Sequence, residues 1–347
     1  MSSASSAGRD TRSEILSQPE IWETTLKQLV SGESGDLPDL SSYDYVLFTG
    51  CGSTYFLSQW AARHCQQLRQ VQAAALPASE LLIFPSAWLR SGARGLLVAV
   101  SRSAETTETL RAVEAFRELT KGDTLAITCN PQGPLAKRAR WVLAAPHAQE
   151  TSVAQTRTFT SMMLLAARLI DGGHAPQAHS ALPAAARALL DQYGELAEAV
   201  GRDLQLDRFF FLGSGARYGL ACEAMLKMKE MSLSQSEAYH FMEIRHGPMS
   251  MVDGRAVVLG LMGVEGRDYE AQVIADMQTL QARTMELSPD GAGPAGQIAL
   301  GAEALPPIWR DPLYLPFLQL VAFHRAVAKG LNPDRPTHLE FVVKLDG

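Results

Sequence analysis

Two stretches of the chain share one plan: an apolar run, a turn bracketed by glycines, and a segment of helical periodicity. The first reads YVLFTGCGSTYFLSQWAARHCQQ from Tyr45 and the second FFFLGSGARYGLACEAMLKMKE from Phe209. Side by side, Gly50, Gly52 and Tyr55 fall on Gly213, Gly215 and Tyr218. A strand-length apolar run that turns at glycine into a helix is half of a βαβ unit. The surrounding segments continue the alternation. GLLVAV, SRSAETTETLRAVEAFREL, TLAITCN and WVLAAP follow in the first half; RAVVLGLMG and the helical YEAQVIADMQTLQART follow in the second. Such alternation predicts an α/β fold of two doubly wound parallel-sheet domains, flavodoxin-like and related by internal duplication.

A length of 347 residues suits two such domains. The sequence divides into a tail and lead-in helix (1–35), a first domain (36–180), a second domain (181–335) and a C-terminal tail (336–347). TRSEILSQPEIWETTLKQLV is helical with a proline near a turn, SGESGDLPDLSS is a loop, and the first ten or so residues are expected to be disordered. Gly, Pro and small residues in DGGHAPQAHSALPAAA mark a linker, before a helical pattern that runs to about Val200.

Charge and cysteine content exclude several function classes. The net charge is −6 and the 31 Lys and Arg are dispersed, which argues against a nucleic-acid partner. No apolar run approaches the ~20 residues of a membrane span. MSSASSAGRD is not followed by the hydrophobic core of a secretory signal. Cys51, Cys65, Cys129 and Cys222 are too dispersed for a zinc motif and too few for a disulfide scaffold. The expectation is a cytoplasmic chain with no membrane partner, no metal and no cofactor.

The two copies differ in their hydroxyls. Matching VAVSRSAETTET to LGLMGVEGRDYE puts Ser53, Thr54, Ser101, Ser103, Thr106 and Thr107 at strand-to-helix turns of the first copy. The second copy has Ala216, Arg217, Met262, Val264, Arg267 and Asp268 there. A turn at the carboxyl end of a parallel strand offers free backbone N–H groups and the positive end of a helix dipole, so hydroxyls placed there suit a phosphate. Helix capping is the competing reading, since Ser and Thr are favoured N-caps. Two such turns in one copy, with neither matched in the other, favour the phosphate.

The second copy has different chemistry. Glu223, Lys227 and Glu230 stand at i, i+4 and i+7 and so share a helix face, where acid and base can converge. A solvated charged face is the ordinary alternative. Downstream, His246 precedes Gly-Pro, a rigid turn presenting an imidazole able to move protons near neutral pH. Lone histidines are usually structural, and His240, His324 and His338 have no comparable setting.

GCGST, SRSAETTET, ETSVAQTRTFT and EAMLKMKEMSLSQSEAYHFMEIRHGPM strongly resemble the tandem sugar isomerase (SIS) domains of the isomerase half of glucosamine-6-phosphate synthase and its stand-alone isomerase and deaminase relatives. The resemblance implies that Cys51, Gly52, Ser53, Thr54, Ser101, Arg102, Ser103 and Thr106 hold a sugar phosphate, with Val153 and Ala154 lining the substrate. It implies that Glu230 moves a proton between C1 and C2, that His246 assists ring opening, and that Glu223 and Lys227 line the same site. In that family the histidine arrives from the neighbouring subunit, which implies a homodimer. The implied substrate is an amino-sugar or ketose 6-phosphate, handled through an enediol or enolamine. Glucosamine-6-phosphate deamination is the foremost instance, with aldose-ketose isomerisation and fructosamine-phosphate deglycation next. A non-catalytic phosphosugar-binding regulator is the alternative of another class, and it would be expected to lose Glu230 and His246.

Three departures from the family pattern stand out. Ala104 takes the place of a usual glycine. No glutaminase segment precedes the motifs, so glutamine is not the expected nitrogen source. Phe341 stands where the synthase has its Schiff-base lysine, and Lys344 lies three residues further on. The tail NPDRPTHL resembles that of the stand-alone deaminases.

Overall fold

The apolar runs become strands buried on both faces, as a parallel sheet between helix layers requires. The computed structural model describes residues 7–31, 36–171, 178–289 and 297–345. One sheet contains β1 (Tyr45–Gly50), β2 (Gln72–Pro77), β3 (Gly95–Ser101), β4 (Asp123–Thr128) and β5 (Trp141–Ala144), in the order β2-β1-β3-β4-β5. The other contains β6 (Arg208–Gly213), β7 (Gln235–Tyr239), β8 (Ala256–Leu261), β9 (Arg283–Ser288) and β10 (Gln297–Ala299), in the order β10-β9-β8-β6-β7. All pairings are parallel. Counted from the first strand of each sheet, the two orders are the same, so one α/β unit is used twice.

The register supports the side-by-side match. β1 pairs Tyr45 with Gly95, and β6 pairs Arg208 with Ala256. Equal steps along β3 and β8 then bring Ser101 and Met262 to the same place in their sheets.

The chain forms two compact units. One gathers Met1–Pro19, Thr151–Thr156 and Ser180–Leu339, and the other Glu20–Glu150, Arg157–His179 and Glu340–Gly347. The unit of the first sheet thus takes the C-terminal tail, and its core packs Leu47, Leu97, Val113, Phe116 and Leu135. The unit of the second sheet takes the helix Arg9–Leu16 and the loop Thr151–Thr156, and its core includes Phe210, Val258, Ile274 and Met277.

Some segments differ from expectation. The helix read through YEAQVIADMQTLQART stops at Thr279; Gln281 turns the chain at φ 65°, and Arg283 already begins β9. β2 and β10 lie at sheet edges, and QAAALP lacks the β-branched residues that announce a strand. The helix Ala178–Arg202 includes Pro183, so SALPAAA is helical; residues 172–177 of the expected linker lie outside the described residues. Order begins earlier than expected at the N-terminus. The Asp334 carboxylate accepts from the backbone N–H groups of Gly8 and Thr11, capping the helix that starts at Arg9. Residues 1–6 lie outside the described residues. No described helix is long and apolar enough to cross a membrane.

Candidate active site

Both glycine-bracketed turns are built for the same steric reason. A Cβ on Gly50 would lie 2.5 Å from Thr54 Oγ1, and one on Gly213 would lie 2.5 Å from the Arg217 carbonyl. Gly52 and Gly215 then take φ of 54° and 59°, which favours glycine. Each turn thereby brings the start of a helix onto the end of a strand. In the first, Thr54 Oγ1 accepts from the Cys51 N–H and donates to the Cys51 carbonyl, at 2.9 Å each, placing Ser53 at the start of the helix Ser53–Arg69. Burial pushes the Cys51 thiol up to about 11, so it stays protonated near neutrality and is unsuited to nucleophilic work.

The turn after β3 brings Ser101 Oγ within 3.5 Å of Thr106 Oγ1 at the start of the helix Thr107–Leu119. Thr106 is that helix's N-cap, yet its side chain makes no capping hydrogen bond, which counters the capping reading. Three backbone carbonyls of the turn, which would repel an anion, are held by donors from the segment following β4. Cys129 N–H bonds Arg102 O, Asn130 Nδ2 bonds Ser103 O, and Leu135 N–H bonds Ala104 O. Ser103 Oγ accepts from the Glu105 N–H at 3.1 Å. Ala104 is buried at φ 60°, the conformation that the family glycine takes freely, and a Cβ on Gly133 would lie 2.5 Å from its methyl. Glycine at 133 therefore makes room for alanine at 104.

The side chain of Arg102 is directed elsewhere. Its guanidinium stacks 3.7 Å from the Phe341 ring centroid, donates to the Phe341 carbonyl at 3.1 Å, and lies 3.9 Å from Glu150. Lys344 approaches Glu105 at 3.7 Å and the Leu345 N–H meets Thr107 Oγ1 at 3.3 Å. The C-terminal tail therefore crosses the 102–107 turn, with Phe341 rather than a lysine set into it.

In the second sheet the matching turn is already filled. Glu270 accepts from the Gly263 N–H at 2.7 Å and pairs with Arg217 at 2.8 Å, while Arg217 Nε donates to the Leu261 carbonyl. A Cβ on Gly263 would fall 2.1 Å from the Arg217 guanidinium. A buried internal carboxylate occupies the place that the first copy lines with hydroxyls. Sequence comparison showed the lost hydroxyls but gave no sign that Glu270 fills their place.

The candidate acid–base residues lie on the helix Arg217–Ser232. Glu223 is 0% and Lys227 1% exposed, so two of the three charges are buried and the trio is not a solvated face. Lys227 Nζ lies 3.4 Å from Glu223 and makes a shorter contact with Glu230. Burial would lower the Lys227 pKa, but the charges of Glu223 and Glu230 overcome it and leave the ammonium above its ordinary value. Glu230 keeps 19% of its side chain exposed and is the more open carboxylate of the pair.

His246 lies between the 3₁₀ turns Glu243–Arg245 and Pro248–Met251, its ring exposed and its N–H bonded to the Glu243 carbonyl at 3.0 Å. Gly247, at φ 127°, makes the break between the turns. His240 instead stacks on Tyr218 at 3.9 Å. Val153 is half-buried and Ala154 buried in the loop Thr151–Thr156, which belongs to the same compact unit as Glu223, Lys227, Glu230 and His246. Ser53, Thr54, Ser101, Ser103 and Thr106 belong together in the other unit. Among the described residues no group of His, Cys, Asp or Glu is placed to hold a metal.

Fold and turns together define a class. Residues 39–170, the whole first sheet with its helices, match the family model of the SIS domain, and the second half repeats the sheet order. The first half of the chain is thus similar to a SIS domain, and the second half repeats its architecture. Over 98% of its length it is 28% identical to the glutamine--fructose-6-phosphate aminotransferase [isomerizing] of Methanothermobacter thermautotrophicus, covering 56% of that protein. It thus spans about half the length of the first curated relatives it matches. It is also 27% identical to the D-galactosamine-6-phosphate deaminase AgaS of Shewanella sp. (strain ANA-3), over 94% of this chain and 87% of that one. Among solved structures, the glucosamine-6-phosphate deaminase of Thermotoga maritima matches with a TM-score of 0.79 at 27% identity, covering 97% of this chain and 100% of that one. The tagatose-6-phosphate ketose/aldose isomerase of Escherichia coli shares the fold, with a TM-score of 0.85 at 23% identity over 95% of each chain.

Proposed function

We propose that the protein is a phosphosugar isomerase/deaminase that converts glucosamine-6-phosphate to fructose-6-phosphate and ammonia. The observation that carries this reading is the charged cluster on the helix Arg217–Ser232, in which Lys227 is held between two carboxylates and only Glu230 keeps an open side. The relatives named as amino-sugar phosphate deaminases support the choice of substrate, as does Phe341 in place of a Schiff-base lysine.

In this reading the hydroxyl turns around Ser53, Thr54, Ser101, Ser103 and Thr106 hold the phosphate, with the turn residues Cys51, Gly52 and Arg102 shaping the cradle. Binding energy from that remote end orients C1 and C2. His246, supplied by a neighbouring copy in a homodimer, moves the ring-opening proton. Glu230 removes the proton from C2 of the open aldose to give an enolamine and returns it to C1, leaving an imine at C2. Water adds there, ammonia departs, and the ketose remains. Lys227 offsets the carboxylate charge beside the reacting carbons, and Glu223 balances Lys227.

Incubation with glucosamine-6-phosphate, with ammonia and fructose-6-phosphate both measured, tests the reading. Equal yields of the two support it. Ketose formation from an unaminated aldose phosphate without ammonia would make the protein a simple isomerase. Tight binding with no turnover of any phosphosugar would make it a regulator.

The anion site has its own test. Replacing Ser101 and Thr106 with Ala is expected to weaken phosphosugar binding, each lost charge-assisted hydrogen bond being worth about 1.5–3 kcal/mol. Calorimetric titration with fructose-6-phosphate and with fructose reads it. Equal affinity of the wild type for the two sugars would remove the phosphate from that turn.

A further inference from the structure

The loop Thr151–Thr156 has no regular secondary structure, yet its polar groups are held by a buried network reaching both ends of the chain. Glu14, on the helix Arg9–Leu16, accepts from the backbone N–H groups of Thr151 at 2.5 Å and Ser152 at 3.3 Å. Thr11 donates its hydroxyl proton to Asp334 Oδ1 at 2.7 Å, so Ser152 Oγ must be the donor in its 2.9 Å contact with Thr11 Oγ1. Asp334 also caps the helix through Gly8 and Thr11, and its backbone carbonyl accepts the Val153 N–H at 3.2 Å. Thr11, Glu14 and Ser152 are all buried.

We propose that Glu14 is a positioning residue for the substrate-lining loop 151–154, acting together with Thr11 and Asp334. The proposal rests on the phosphosugar reading given above, in which Val153 and Ala154 face the sugar. An irregular loop has no ladder of its own to fix its peptide planes, so their orientation must be set from outside. One carboxylate fixes Thr151 and Ser152. A second fixes Val153 indirectly, because the Asp334 side chain is locked onto the helix start while its carbonyl receives the loop. The helix Arg9–Leu16 is therefore a brace for the loop as well as a terminal element. A buried carboxylate on backbone amides is a stiff and directional support, since those amides would otherwise be desolvated without a partner.

The test compares Glu14→Gln, Thr11→Val and Thr11→Ser with Tyr193→Phe, which removes the structural hydrogen bond from the Ala299 N–H to the Tyr193 hydroxyl and touches none of this network. Binding of fructose-6-phosphate and glucosamine-6-phosphate is titrated in the full chain, well below each variant's Tm. Glu14→Gln and Thr11→Val are expected to weaken binding by roughly tenfold or more, the loss of one such hydrogen bond. Thr11→Ser, which keeps the hydroxyl, should bind like the wild type, and Tyr193→Phe should lose Tm with affinity unchanged. Wild-type affinity in Thr11→Val, or in a folded Glu14→Gln, would overturn the proposal. A wild type that binds neither phosphosugar would overturn the functional reading, and the proposal with it.

Discussion

Glu230→Gln is expected to reduce turnover of glucosamine-6-phosphate by ~10² or more while phosphosugar affinity changes little. The substitution keeps the size and hydrogen bonding of the side chain but removes the basic carboxylate. The decisive readout is deuterium from solvent at the sugar carbon, because a missing base cannot exchange that proton. Wild-type exchange in Glu230→Gln would move the base elsewhere, with Glu223 the next candidate. His246→Asn should behave differently, slowing reaction from the closed ring more than from an open-chain substrate.

Lys227→Met is expected to destabilise the protein by about 3–5 kcal/mol, because it strips the counter-charge from Glu223 at 0% exposure. Chemical denaturation measures it. Adding Glu223→Gln to Lys227→Met should recover much of the loss by neutralising that carboxylate, and a double variant no more stable than the single would contradict the pairing. The pH dependence has a definite sign. The folded pKa of Lys227 is raised above the ordinary 10.5, so its stabilisation is complete below that pH and is lost as pH rises through the folded value. Wild-type stability should therefore fall in the strongly alkaline range by an amount that Lys227→Met does not show.

The two glycine turns were readable because their demand is local. Gly50 and Gly213 each face atoms only four residues ahead, Thr54 and Arg217, so the same steric need leaves the same mark twice. Buried parallel strands such as β3 and β8 read as continuous apolar runs for a similar reason. β2 and β10 were not readable, since an edge strand of small or few residues is defined by the neighbour it pairs with. Glu223, Lys227 and Glu230 were legible as a shared face. Their burial was not, because it depends on the packing of that helix against the helix Tyr314–Ala328, far along the chain.

From the sequence alone came the duplicated α/β unit, the two turns that retain hydroxyls and the spacing of the acid–base trio, all properties fixed by periodicity and by backbone geometry within a few residues. Tertiary packing settled three further matters. It filled the turn after β8 with Glu270 and Arg217, laid Phe341 over Arg102, and joined Glu14, Thr11 and Asp334 to the 151–154 loop. Each depends on polar partners distant in sequence, whose pairing becomes favourable only once burial has removed water from both.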